Sequence, residues 1–187
     1  MCVGMAFSGI AISGKAGAGK DTICAELMKD DTRFVRISFA DELKRIASEL
    51  TGLDFFDEKV KEEYRWFLQV LGTELMRRFD ENYWVKKAVA KAQSLMAEGK
   101  IPICTDARFP NEMKALQDIG FYATRLDVSE EVQRQRGREP TQHASEIALD
   151  DYTGFSLRIN SGRASPPRIA GAILTFGCFN GYLAPSV

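Results

Sequence analysis

From Phe7 to Thr22 the chain reads FSGIAISGKAGAGKDT, and few stretches constrain a fold so tightly. The apolar Ile10, Ala11 and Ile12 form a buried strand. It passes through a glycine-rich turn into a helix that carries Ile23, Cys24 and Leu27 inward. The turn runs Gly14-Lys15-Ala16-Gly17-Ala18-Gly19-Lys20-Asp21. Its G-x-x-x-x-G-K spacing is that of a phosphate-binding loop, with Asp21 where Ser or Thr usually follows the lysine. Gly14, Gly17 and Gly19 let the backbone approach a ligand closely. Successive N–H groups through Ala18 then line a concavity at a helix N-terminus, which suits an anion. Lys20 adds a point charge for β- and γ-phosphates. A glycine-rich turn can also bind nothing, but the strand before it and the helix after it favour a nucleotide. Asp21 is the difficulty, because a carboxylate beside phosphates repels them unless a cation lies between.

The 187 residues suit one domain with inserted subdomains. A formal net charge of −1 provides no global basic field, which argues against a nucleic-acid polymer as partner. Substrate anions must then be held by local arginines. Cys2, Cys24, Cys104 and Cys178 are scattered without a CxxC pair, and His143 is the one histidine, so a structural zinc site is not expected. Cys24 and Cys104 lie in apolar patterns and read as buried thiols of a reducing compartment, which places the protein in the cytoplasm. The N-terminus runs directly into the first strand, with no cleavable signal segment expected.

Beyond the loop, Phe34 to Phe39 reads as a second strand. Leu43, Ile46, Ala47 and Leu50 repeat at helical spacing up to Gly52. Tyr64, Phe67, Leu68, Leu71, Leu75 and Phe79 continue that spacing in a second helix, interrupted by Gly72 at a cost of about 1 kcal/mol relative to Ala. Trp84, Val85, Ala88, Val89, Ala92 and Leu95 predict a third helix. Ile101 to Thr105 is a buried strand, and Pro110 and Gly120 bracket the next helix. Phe121 to Val128 is a fourth strand, Glu130 to Arg138 a charged helix, Thr141 to Asp151 a short helix or ordered loop, and Phe155 to Ile159 a fifth strand. Strands alternating with helices imply a parallel sheet covered on both faces. The helical stretch between the second and third strands is too long for a plain crossover and reads as an inserted subdomain.

In such sheets ligands bind beyond the carboxyl ends of the strands. Asp41 and Lys44 fall there, as do Asp106 and Arg108, then Arg134, Arg136 and Arg138, His143 and Glu146, and finally Asn160. Asp106 closes an apolar strand, as the Mg²⁺-holding acid of loop-type nucleotide enzymes does, or else it caps a helix or turn. Arg108 can clamp an acceptor phosphate or pair on the surface with Glu112. The three arginines around Gly137 form either a solvated helix face or a closing lid that supplies charge to a transferring phosphoryl group. Arg65 and Gln69 lie one helical turn apart, suited to a phosphate and a base, and Arg65 is otherwise a solvated helix residue. His143 has little to do in phosphoryl transfer, which asks for little proton chemistry.

GKAGAGKDT, SFADELK, RWFLQVLGTE, TDARFPNE, QHASE and RINSG, in that order, resemble the deoxynucleoside monophosphate kinases of bacteriophage type, within the nucleoside monophosphate kinase superfamily. The resemblance spans about Phe7 to Gly162. It implies an α/β, three-layer P-loop kinase fold with a five-stranded parallel sheet flanked by helices. A single domain over 1–187 would carry a helical monophosphate-binding insertion at about 41–98 and a lid at about 129–150. It further implies ATP as donor with Mg²⁺, the phosphates resting on Gly14, Gly17, Ala18, Gly19, Lys20, Asp21 and Thr22. A deoxynucleoside 5′-monophosphate would meet Phe39, Ala40, Lys44, Arg65 and Gln69, with Arg108, Arg136 and Glu146 completing that pocket. Asn160 and Gly162 would lie near the adenine. The catalytic charges would be Lys20, Asp21, Asp106, Arg108, Arg134 and Arg138, with Asp21, Thr22 or Asp106 facing the metal. GKD is a form of the loop in that family, which accounts for Asp21.

The tail departs from the family pattern. After RASPP comes the apolar IAGAILTFGCF, eleven residues and too short to span a membrane. Ile169, Ala172, Ile173 and Phe176 keep helical spacing, so a helix covering the sheet is the first reading and a homodimer contact the second. The expected reaction is dNMP plus ATP to dNDP plus ADP, in a host cytoplasm if the chain is phage-encoded. The rivals are a kinase for another small metabolite, such as dephospho-coenzyme A or shikimate, and a non-catalytic ATP-binding module.

Overall fold

The computed structural model describes residues 9–142 and 144–181, apart from the side chains of residues 73, 77, 144 and 145. Five strands make one sheet: β1 (Ile10–Gly14), β2 (Phe34–Ile37), β3 (Ile101–Cys104), β4 (Tyr122–Asp127) and β5 (Leu157–Asn160). Their order is β2-β3-β1-β4-β5 and every neighbouring pair is parallel. The central strand is apolar on both faces because both faces are covered, and Ile10, Ala11 and Ile12 are fully buried.

The helices are α1 (Lys20–Met28), α2 (Phe39–Thr51), α3 (Glu58–Glu63), α4 (Arg65–Gln69), α5 (Arg77–Phe79), α6 (Tyr83–Ala97), α7 (Pro110–Asp118), α8 (Glu130–Gln135), α9 (Ala144–Ile147) and α10 (Pro166–Phe179). On one face of the sheet, α1 and α10 cover Ile10, Ile12, Ile103, Tyr122 and Leu126. On the other, α6 and α7 cover Ala11, Cys104 and Ala123. The apolar tail thus forms the expected sheet-covering helix: Ile169, Ala170 and Ile173 are buried, and the Tyr122 hydroxyl donates to the Ile173 carbonyl at 3.0 Å. Among the described residues, no helix is long and apolar enough to cross a membrane.

The α2–α6 excursion between β2 and β3 has a small core of its own, Ala47, Phe55 and Leu71, packed on by Leu43, Tyr64, Phe67 and Leu68. Here the sequence expectations need correcting. The helix expected from Tyr64 to Phe79 is broken: α4 widens into a π-helix over Val70–Met76 before α5. Gly72 lies within that turn, where a Cβ would come 2.9 Å from Leu43 Cδ2. Its carbonyl accepts from the Trp84 indole N–H at 2.9 Å, which gives both buried polar groups a partner. Leu50 and Phe79, expected inward, are exposed. The expected second strand also ends early, because Ser38 caps α2 and its hydroxyl accepts from the Ala40 N–H, so Phe39 is helical.

Candidate active site

The turn after β1 folds as its sequence requires. Gly17 and Gly19 take φ of 77° and 87°, the left-handed region open to glycine, and Gly19 precedes the first turn of α1. Lys20 turns back over the loop, its ammonium donating to the carbonyls of Gly14 at 2.7 Å and Lys15 at 3.3 Å. Burial above all, then the nearby Arg108, holds its pKa below the ordinary lysine value.

Two cavities matter here: one is lined by the loop, and the other by Arg108, whose partner Glu146 also binds the loop at Ala16. One, of about 360 Å³, is lined by Gly17, Ala18, Gly19, Thr22, Arg136 and Ser161, with Ala164, Pro166 and Ile169 as an apolar floor. The other, of about 450 Å³, lies between the helical excursion and the end of β3. Phe39, Leu43, Leu68, Gly72, Trp84 and Phe109 give it apolar walls, and Ala40, Arg65, Gln69, Asp106, Arg108 and Glu112 complete it.

The segment after β4 crosses the loop and grips it. Gln133, buried, donates to the Ala16 carbonyl at 2.7 Å. Arg136 donates to the Gly17 carbonyl at 2.7 Å and to Ser161 at 3.0 Å, tying the loop to the β5–α10 turn. Glu146 accepts from the Ala16 N–H at 2.7 Å and from Arg108 Nη1 at 2.5 Å. Burial alone would raise the Glu146 pKa, but those two donors outweigh it and hold the carboxyl below its ordinary value. Behind the loop, the buried Arg125 of β4 donates to Ser13 at 3.0 Å and Asp150 at 2.6 Å, and Asp150 also pairs with Lys15 at 2.9 Å.

Asp21 is paired. Thr105 donates to its Oδ1 at 2.9 Å, and the Arg36 guanidinium stands 3.8 Å away. Arg36, on β2, thus offsets part of this carboxylate's charge. Among the described residues no three His, Cys, Asp or Glu side chains gather into a metal-binding group. A Mg²⁺ held mainly by phosphates and water needs only one or two protein oxygens, and Asp21 and Thr22 at the loop end fit that requirement.

The structure brings together Gly14, Gly17, Ala18, Gly19, Lys20, Asp21, Thr22, Arg108 and Glu146 around the loop, and Phe39, Ala40, Arg65 and Gln69 in the larger cavity. Arg138 packs across the loop, its Cγ 3.3 Å from where a Cβ on Gly17 would lie. Five expectations are corrected. Asp106 takes the capping alternative, accepting from the Ser38 hydroxyl at 2.5 Å and from the Phe39 and Ala40 N–H groups at 3.1 Å each. Arg134 turns to solvent and pairs with Glu130 and Glu139, a solvated helix face. Arg136 lines the smaller cavity, not the larger one that holds Phe39, Arg65 and Gln69. Lys44 lies outside the larger cavity's lining, its ammonium 5.5 Å from the Phe56 ring centroid. Asn160 spends its side chain on the Gly162 N–H at 3.0 Å, and Ser161 takes its place in the cavity wall. The ion pair of Arg108 is with Glu146; Glu112 instead accepts from the Arg108 and Phe109 backbone N–H groups at 2.8 and 3.2 Å. His143 lies outside the described residues.

Sequence reasoning passed over Thr105, Gln133, Arg125 and Asp150. Arg125 carried a signal, since a charge between Thr124 and Leu126 in an apolar strand must be buried with a partner.

A parallel sheet of this order with a glycine-rich loop after its central strand defines a kinase of the P-loop superfamily. A shikimate kinase from Acinetobacter baumannii shares this fold with a TM-score of 0.58, at 15% identity over 93% of this chain and 94% of that one. More particularly, the chain belongs to the family described as phosphomevalonate kinase, whose model matches residues 12–122. It is 32% identical over 145 residues, 76% of this chain, to "Uncharacterized protein ORF77" of Ictalurid herpesvirus 1 (strain Auburn), and spans 59% of that protein's length. It is also 27% identical over 176 residues, 79% of this chain and 85% of the other, to a "putative deoxynucleotide monophosphate kinase" of Acanthamoeba polyphaga mimivirus.

Proposed function

We propose that the protein transfers the terminal phosphoryl group of ATP to a deoxynucleoside 5′-monophosphate. The observation that carries this reading is a pair of cavities, one lined by the phosphate loop and the other by Arg108, whose partner Glu146 also binds the loop at Ala16. ATP fits the smaller cavity, its base toward Ala164, Pro166 and Ile169 and its phosphates on the loop. The acceptor fits the larger one, whose aromatic and aliphatic walls suit a planar base. Arg65 and Arg108, which in the structure pair with Glu62 and Glu146, would turn to its phosphate, and Gln69 would give polar contact with the base. Lys20 and the guanidiniums offset charge as the phosphoryl group passes in line, while the crossing segment excludes water. Mg²⁺ bound with the donor, held by Asp21 or Thr22, would neutralise part of the phosphate charge.

A second reading rests on the family match, which points to phosphomevalonate. It too is a phosphate monoester, so the same arginines would serve. ADP release measured over deoxy- and ribonucleoside monophosphates, phosphomevalonate, shikimate and dephospho-coenzyme A separates the cases. Turnover confined to non-nucleotides defeats the proposal, and ATP binding without transfer to any acceptor supports a binding module instead. Arg65→Ala is expected to raise the KM for the monophosphate about tenfold with kcat kept, as for lost uniform binding. A KM like that of the wild type removes Arg65 from the pocket.

A further inference from the structure

Glu146 stands where an anion should. One carboxylate oxygen accepts from the loop's Ala16 N–H at 2.7 Å and the other from Arg108 at 2.5 Å, with the side chain only 12% exposed. Ala16 has a single N–H, and Arg108 also lines the larger cavity. The carboxylate thus occupies a donor of the phosphate loop and a charge of the acceptor side at once. A little further along the chain, Asp150 pins the same segment to buried Arg125 and to Lys15. The segment is anchored by one acid while the other reaches into the phosphate site.

We infer that Glu146 is an internal stand-in for the donor's terminal phosphate, a latch that must leave the loop when a triphosphate arrives. This inference rests on the nucleotide reading given above. A carboxylate and a phosphate carry like charge and compete for the same donors, so the incoming γ-phosphate displaces Glu146. Displacement also frees Arg108, which then turns its guanidinium to the acceptor's phosphate. Loading of one cavity thereby prepares the other, and the empty protein keeps its site closed with its own acid. A nucleoside diphosphate has no γ-phosphate to contest the Ala16 N–H, and it binds beside the latch.

The test compares binding of β,γ-imido-ATP and of ADP to the full chain by calorimetry. Glu146→Gln removes the charge with little change of shape. It is expected to tighten β,γ-imido-ATP about tenfold while ADP changes less than about threefold. Glu146→Asp, too short to span both donors, is expected to move the same ratio in the same direction, which guards against a single misfolded variant. Thermal melts of both variants confirm the folded state. An unchanged ratio, or weaker triphosphate binding in both variants, overturns the latch. Wild-type protein that binds neither nucleotide overturns the nucleotide reading along with it.

Discussion

Asp106→Ala tests what the acid at the end of β3 does. In the structure its carboxylate gathers the Ser38 hydroxyl and the Phe39 and Ala40 N–H groups at the start of α2. Truncation leaves the Phe39 N–H without that acceptor, whereas the Ala40 N–H keeps the Ser38 hydroxyl at 3.1 Å. One orphaned donor costs about 1–3 kcal/mol. Loss of a negative charge at a helix N-terminus adds about 0.3–1 kcal/mol. At roughly 2–4 °C per kcal/mol for a chain of this size, a total of about 3 kcal/mol lowers Tm by about 6–12 °C. Asp106→Asn keeps one acceptor oxygen and should lose about a third of that. The assay is a far-ultraviolet circular dichroism melt, paired with turnover titrated against Mg²⁺. A capping residue predicts lower stability with the half-saturating Mg²⁺ concentration kept in the Asn variant. If Asp106→Ala melts within about 1 °C of wild type while the Mg²⁺ requirement rises, the capping argument is wrong and the metal role returns.

Lys20→Ala should cost about two to three orders of magnitude in turnover, the scale of a lost preorganised charge. Because burial already disfavours that ammonium, Tm should stay within about 2 °C, and a larger fall would mean that its bonds to Gly14 and Lys15 hold the loop together. Arg136→Ala should raise the KM for ATP about tenfold while Arg134→Ala changes it less than about twofold; equal effects would contradict their separate placements. The Glu146 carboxyl is held below its ordinary pKa of 4.5 because the Ala16 N–H and Arg108 outweigh its burial. The folded state therefore binds this proton less readily than the unfolded chain, and the stability that Glu146 contributes is complete above that value and is lost on acidification below it. The Tm difference between wild type and Glu146→Gln, followed from pH 7 downward, should hold to about pH 5 and shrink below about pH 4. A difference independent of pH would rule out a charged contact.

The sheet was legible because its strands are short apolar runs set between turn residues, and β1 with its loop determines what lies at the centre. The loop residues were legible too, since their spacing is their function. What escaped was everything decided by pairing across the fold. Asp106 stands at a strand end in either of its roles, and only the approach of Ser38 to Ala40 chooses between them. Arg134 and Arg136 are two residues apart in a charged run, yet the end of α8 at Gln135 sends one to solvent and the other to the Gly17 carbonyl. Helical periodicity ran straight through Gly72, because a π turn shifts the register by less than one residue per turn and leaves most inward positions apolar.

The two cavities have no lining residue in common. One is built from α2, α4, Gly72, Trp84 and the segment from Asp106 to Glu112 after β3; the other draws on the phosphate loop, α1, Arg136 and the turn after β5 that leads into α10. Arg108 is the exception to this separation, since Glu146 joins it to the loop; for the other wall residues, effects of substitutions on binding should add where the sites are well separated. In evolutionary terms the far wall of the larger cavity, away from Arg108, stands apart from the loop-lined cavity. On the proposed function, the larger cavity can be reshaped through Leu68, Gln69 or Trp84 without touching the walls of the smaller one, so a chain of this kind could change its acceptor and keep its fuel.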